Sequence, residues 1–192
     1  MINKSTIKSH LSEHRDVINS IDDIFVDQIF SCAEVVLNTL TNGGAVFWCG
    51  NGGSSSDSQH LAAELIGRYD KNRSPIRSVS LTSDTAVLTC IANDFGYDEI
   101  FARQLEGLGK SGDTLIAIST SGMSQNVINV VNQAKKMKIN TVGFLGKGGG
   151  DALSLFSNSI VIPSQTTARV QEMHILFGHI LCDLIEEGLG LK

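Results

Sequence analysis

"AVFWCGNGGSSSDSQHLAAELIGRY", Ala45–Tyr69, holds a strand, a donor-rich turn and a helix in immediate succession. The unbroken apolar run "AVFWC" (45–49) has the length of a strand buried on both faces, and Cys49 at its end reads as a small core residue. "GNGGSSSD" (50–57) then supplies flexible backbone, free amides and hydroxyls. Placed on a helix, residues 55–68 put Leu61, Ala62, Leu65 and Ile66 on one apolar arc and Asp57, His60, Glu64 and Arg68 on the adjacent stripe.

This unit recurs along the chain. "IRSVSL" (76–81), "TLIAIS" (114–119), "NTVGFL" (140–145) and "SIVIP" (159–163) read as four more strands, separated by segments of helical period such as "SQNVINVVNQAKKMK". A last helix runs from about Thr167 to Gly188. Short apolar strands alternating with helices imply an α/β domain over residues 43–192, a five-stranded parallel sheet flanked by helices. Before it, Ile21, Phe25, Ile29, Cys32, Val36 and Leu40 recur at helical spacing. Asn19 or Ser20 is the expected cap, Asp22 and Asp23 fall in the first turn, and Asn42-Gly43-Gly44 ends the helix. Residues 1–42 are therefore read as an N-terminal helical arm, with no linker long enough to split the chain.

With 192 residues, 42 % of them hydrophobic, the chain suits one domain with a real core. A formal net charge of −5 and the lack of any Lys/Arg block argue against nucleic acid or anionic membranes as partners. "MINKSTIKSHLSEHRD" lacks the apolar centre of a signal peptide, and no apolar run approaches the ~20 residues of a membrane span. Four cysteines, at 32, 49, 90 and 182, form no C-x-x-C pair and read as reduced thiols of a cytoplasmic protein.

In open α/β sheets ligands sit beyond the carboxyl ends of the strands, so the loops there carry the candidates. The first, Gly50–Asp57, lacks the third glycine of a dinucleotide loop, Ser55 standing in its place, and the G-K-[ST] of a P-loop. It reads as an acceptor for an anion or a polyhydroxyl ligand, or as a tight turn with a serine cap. The second, "STSGMSQN" (119–126), gathers Ser119, Thr120, Ser121 and Ser124 around one glycine at a helix start. Capping uses one such hydroxyl, whereas a phosphate monoester uses several together with the helix amides. The absence of lysine there argues against nucleoside triphosphates. "GKGGGD" (146–151) reads as a turn.

His60 and Glu64 stand at i, i+4, a spacing that presents two ligands to one metal, and equally that of a solvated stripe with a Glu64–Arg68 ion pair. In the last helix the apolar arc takes Val170, Met173, Leu176, Phe177, Ile180, Leu181 and Leu184, with His174 inside it as a packed core histidine. Gln171 and His179 flank Ile175 on the other side, about 12 Å apart along the axis; spacing alone does not select them. Asn93 and Asp94 sit in a turn after a short helix, suited to local hydrogen bonds or to sugar hydroxyls.

"CGNGGS", "DSQHLAAELIGRY", "ANDFGYDEIFARQ", "ISTSGMS" and "RVQEMH", in that order, closely resemble the phosphoheptose isomerases of the sugar isomerase (SIS) domain group, almost end to end. The resemblance implies isomerisation of sedoheptulose 7-phosphate to D-glycero-D-manno-heptose 7-phosphate, for bacterial heptose-containing surface polysaccharides. It implies that Asn51, Gly52, Gly53, Asn93 and Asp94 contact substrate and that Ser119, Thr120, Ser121 and Ser124 hold its phosphate. It places His60, Glu64, Gln171 and His179 at the family's zinc-site positions, with Gln171 also facing substrate. Glu64 and His179 fall at the positions of its catalytic base and acid. It further implies a homotetramer with the N-terminal helices in a central bundle and active sites between subunits. A related non-catalytic SIS protein associates with the bacterial replication initiator, and other SIS domains sense sugar phosphates beside a DNA-binding segment. The presence of both Glu64 and His179 favours the enzyme.

Overall fold

The computed structural model describes residues 2–191; Met1 and Lys192 lie outside the described residues. The described chain contains α1 (Lys4–Asn19), α2 (Asp23–Thr41), β1 (Val46–Gly50), α3 (Gly53–Ile66), β2 (Ser78–Ser80), α4 (Thr85–Phe95), α5 (Ala102–Leu108), β3 (Thr114–Ser119), α6 (Gln125–Lys136), β4 (Asn140–Gly146), β5 (Asn158–Ile162) and α7 (Thr167–Gly188). The strands form one parallel sheet in the order β2-β1-β3-β4-β5. The order reverses between β1 and β3, which pair from Val46 opposite Thr114 to Gly50 opposite Ile118. The crevice of such a sheet opens beyond the carboxyl ends of these two neighbours. The loops that start at Asn51 and Thr120 flank it.

Successive strand residues point to opposite faces, which divides the interior in two. Trp48, Ile116, Ile118, Val142 and Phe144 pack with α2, α3 and α7. Phe47, Cys49, Leu115 and Ala117 pack with α4, α5 and α6 on the other face. The expected 76–81 strand shortens to β2, an edge strand whose Ser78 and Ser80 are buried while Val79 is exposed. Ser78 accepts a hydrogen bond from the Trp48 indole at 2.9 Å, so its face matches an indole N–H rather than an apolar neighbour.

The 1–42 arm consists of two helices, α1 and α2. Ser20 Oγ donates back to the Val17 carbonyl (2.7 Å), and the chain restarts at Asp22, whose carboxylate accepts from the Phe25 amide at 2.9 Å. The cap of α2 is thus Asp22, not Asn19 or Ser20, because the Ser20 hydroxyl is occupied closing α1. Among the described residues, α2 is the one helix long and apolar enough to cross a membrane by length and composition. Its Phe25, Ile29, Cys32, Ala33 and Val36 are buried in the core beside α7. Helix α1 docks on the start of α7: His14 Nδ1 meets Glu172 at 2.7 Å, and Arg169, paired with Glu13 and Glu172, donates to the His10 carbonyl at 2.7 Å. Ile7, Leu11, Ile24, Val26 and Phe30 remain exposed on this pair of helices.

Helix α7 buries a narrower stripe than its sequence suggests. Val170, Met173, His174, Phe177, Leu181 and Ile185 are inside, while Leu176 and Ile180 are 36 % and 37 % exposed. The helix fits a seam between α2 and α3, which covers only the middle of the arc. His174 donates Nε2–H to the Leu145 carbonyl (3.0 Å), since that oxygen can only accept, and its Nδ1 has no partner among the described residues. Burial pushes its pKa down to about 4, against the weaker opposing effect of that hydrogen bond.

Candidate active site

The first loop is fixed from the side. Asn51 and Asn126 exchange amide hydrogen bonds at 2.8 and 2.9 Å, and the Tyr97 hydroxyl donates to Asn51 Oδ1 at 3.0 Å. Asn126 is buried at the start of α6, so this pair ties the β1 loop to the helix that follows β3. Gly52 adopts φ +57°, a left-handed conformation open to glycine, and α3 begins there without a side-chain cap. In place of a side-chain cap, the Ser54 amide donates to the Asn51 carbonyl at 3.1 Å and the Ser55 amide to the Gly52 carbonyl at 3.0 Å, so the first turn closes on the loop backbone. The amide of Gln171 lies so close over Gly53 that a Cβ there would overlap it. A cavity of about 200 Å³ opens between this loop and α4, bounded by Asn51, Gly52, Ser55, Thr82, Leu88 and Tyr97.

In the second loop the hydroxyls divide their work. Ser119 Oγ accepts from the Gly122 amide at 3.0 Å and Ser121 Oγ from the Met123 amide at 3.2 Å, closing the loop on itself. Ser124 precedes α6 without a side-chain cap bond. Ser119, Thr120 and Ser124 line a cavity of about 40 Å³ together with Asn51 and Ser54. The "GKGGGD" turn backs this loop. Gly122, at φ +65°, leaves no room for a Cβ against the Gly149 carbonyl, and the Ala152 amide donates to the Gly122 carbonyl at 3.0 Å.

On the outer stripe of α3, His60 Nε2 lies 3.1 Å from Glu64 Oε1 and 3.4 Å from His179 Nε2 of α7. The three ligand atoms lie within 4.8 Å of one another. Zinc bonds of 2.0–2.1 Å in a tetrahedron put ligand atoms about 3.3 Å apart, so two imidazoles and a carboxylate at these separations fit such an ion. The Tyr69 phenol, beside His179 with ring centroids 5.8 Å apart, is raised by burial and then by the negative charge of Asp183. The Asp57 carboxyl on the same stripe is raised by burial, opposed by His60, and its Oδ2 is buried without a partner among the described residues.

Three expectations change. Arg68 lies beyond α3 and donates to the Asp70 carbonyl at 3.1 Å, so the carboxylate of Glu64 meets His60 instead. Asn93 and Asp94 belong to the last turn of α4, not to a turn after it, and bond each other at 2.7 Å. Glu64 and His179 converge away from the carboxyl ends of the strands, where the ligand loops are expected to gather the site. A helix that follows a parallel strand runs back along the sheet, and at 1.5 Å per residue His60 and Glu64 lie about 10 and 16 Å along α3 from Gly53. Gln171 stays at the loop end, over Gly53, about 12 Å of helix rise before His179.

The SIS domain model matches residues 10–146. The chain belongs to the SIS domain family. A phosphoheptose isomerase from a Nitratiruptor species is 45 % identical over 182 residues, 95 % of this chain and 97 % of that protein. The structure of phosphoheptose isomerase from Neisseria gonorrhoeae superposes with a TM-score of 0.91 at 37 % identity, covering 96 % of this chain and 98 % of that one. That of a phosphoheptose isomerase from Francisella tularensis gives 0.91 at 30 % identity over 97 % and 100 %. Within this SIS domain, sequence reading missed Asn126, Tyr97 and Tyr69. Asn126 and Tyr97 stand inside quoted motifs, but only the fold shows that their partner is Asn51.

Proposed function

We propose that this SIS domain protein is a phosphoheptose isomerase that converts sedoheptulose 7-phosphate to D-glycero-D-manno-heptose 7-phosphate in the cytoplasm. The observation that carries the reading is the meeting of His60, Glu64 and His179 from two helices, in a chain that aligns with its isomerase relatives over nearly their whole length. In this reading Ser119, Thr120, Ser121 and Ser124 with the α6 amides hold the phosphate. Asn51, Gly52, Gly53, Asn93, Asp94 and Gln171 take the sugar.

Glu64 Oε1 faces His60, and its second oxygen makes no hydrogen bond to the described residues, leaving it available as a base. Glu64 takes the proton from the carbon beside the ketone and returns it to the former carbonyl carbon. His179 moves the oxygen-bound proton between the two oxygens, so an enediol forms and collapses without any redox step. His60, Glu64 and His179 would hold a zinc ion, which supplies Lewis-acid polarisation of the carbonyl when bound, and Gln171, over Gly53 at the loop end, is left to the sugar.

The distance from the β1 loop to Glu64 supports sites completed by a second copy. The exposed apolar residues of α1 and α2 support a homotetramer packed through these helices. NMR of sedoheptulose 7-phosphate in D₂O, with and without zinc, tests substrate, reaction and proton exchange together. Appearance of the aldose with deuterium at its second carbon is expected. Tight binding of the sugar phosphate with no turnover under either condition would replace the enzyme by a sensor.

A further inference from the structure

Two charged side chains outside the site are buried completely. Arg73 and Glu186 are 2 % and 0 % exposed and meet at 2.7 Å through Nε and Oε1. Every arm of the pair reaches an element that carries a site residue. Arg73 Nη2 donates to the carbonyl of Glu64 at 2.9 Å and Nη1 to that of Leu65 at 2.8 Å, satisfying two of the carbonyls that a helix end leaves open. Glu186, two turns after His179 on α7, accepts from the amides of Tyr69 (3.0 Å) and Asp70 (3.2 Å). The ring of that same Tyr69 lies beside His179.

Burying an ion pair is a poor way to gain stability, because desolvation offsets most of the attraction. What such a pair does supply is fixed geometry, since its hydrogen bonds are short and directional. A second contact works with it. Gly178 sits in the middle of α7, where glycine costs about 1 kcal/mol, and a Cβ there would overlap the Leu61 side chain. Leu61 and Gly178 adjoin His60 and His179, so α3 and α7 touch beside the histidines and are clamped again at the end of α3.

We infer that Arg73 and Glu186 are positioning residues that set the separation of His60 and Glu64 on α3 from His179 on α7. The inference rests on the metal reading above only for one of its two readouts.

The test uses the full chain as wild type, Glu186→Gln, Glu186→Asp and Arg73→Lys. Co²⁺ affinity is followed by visible absorption, the His60–His179 ring contact by an NOE between selectively labelled histidines, and inorganic phosphate binding by calorimetry. The glutamine and aspartate variants should lose at least tenfold in Co²⁺ affinity and lose the NOE, with phosphate affinity unchanged within twofold. Lysine, which keeps the charge but not the fork, should fall between. Wild-type Co²⁺ affinity and an intact NOE in a folded Glu186 variant would overturn the inference. If wild type itself binds no Co²⁺, the metal reading fails and the NOE alone decides the positioning role. If no variant folds, the pair is a requirement of the whole domain, and a positioning role is likewise overturned.

Discussion

Gly122→Ala tests whether the second loop depends on its backing turn. Alanine at φ +65° takes on the left-handed penalty of ~1–2 kcal/mol. Its Cβ would overlap the Gly149 carbonyl and lie 3.0 Å from Gly150 N, so the two loops must part. Parting them breaks the 3.0 Å bond from the Ala152 amide to the Gly122 carbonyl, worth ~0.5–1.5 kcal/mol. The sum is about 1.5–3.5 kcal/mol, or roughly 3–14 °C in thermal midpoint for a chain this size. The displaced segment carries Ser121 and leads to Ser124, so calorimetric affinity for a sugar phosphate should fall at least tenfold. Co²⁺ binding at His60, Glu64 and His179 should stay within twofold, because these residues lie well along α3 and α7, away from the turn. A variant that binds sugar phosphate like wild type would refute the assignment of phosphate to this loop, and an unshifted melting curve would refute the steric reasoning.

Other outcomes follow from the same geometry. Glu64→Gln should abolish deuterium incorporation while sugar-phosphate affinity changes little, and His179→Gln should slow turnover by on the order of 10²–10⁴; proton exchange at wild-type rate in the first variant would make Glu64 a ligand or structural group. Asn126→Ala removes both amide bonds to Asn51 and should weaken sugar-phosphate binding by on the order of tenfold, read by calorimetry. His174 is held neutral, so the unfolded chain takes up a proton that the fold refuses; stability is full above pH 6.5 and declines as pH falls to about 4, by ~3 kcal/mol at about 1.4 kcal/mol per pH unit. Urea midpoints across that range should fall less for His174→Gln, whose amide can still donate to Leu145, and equal slopes would contradict the buried neutral ring. Light scattering at micromolar concentration should give a tetramer, and a monomer would remove the central helical bundle from the reading.

Much of the molecule is legible along the chain because the signals are local. Apolar runs such as Ala45–Cys49 and Thr114–Ser119 mark buried strands, since a strand covered on both faces has no polar side to show. The loops after them announce themselves by glycine and hydroxyl content, and His60 and Glu64 share a helix face at a spacing fixed by 3.6 residues per turn. Polarity does not reveal who meets whom across the fold. Asp22 and Ser20 are both competent caps, and the choice between them depends on the Val17 carbonyl that takes the Ser20 hydroxyl. Leu176 and Ile180 lie on the apolar arc of α7, yet the seam between α2 and α3 is too narrow to cover them. His179 lies 119 positions from His60, Asn126 lies 75 from Asn51 and Glu186 lies 113 from Arg73. Periodicity along one helix carries no information about such partners. Only the packing of α3 and α7 on one face of the sheet, with Gly178 letting them touch, turns two separate histidines and a carboxylate into a single site.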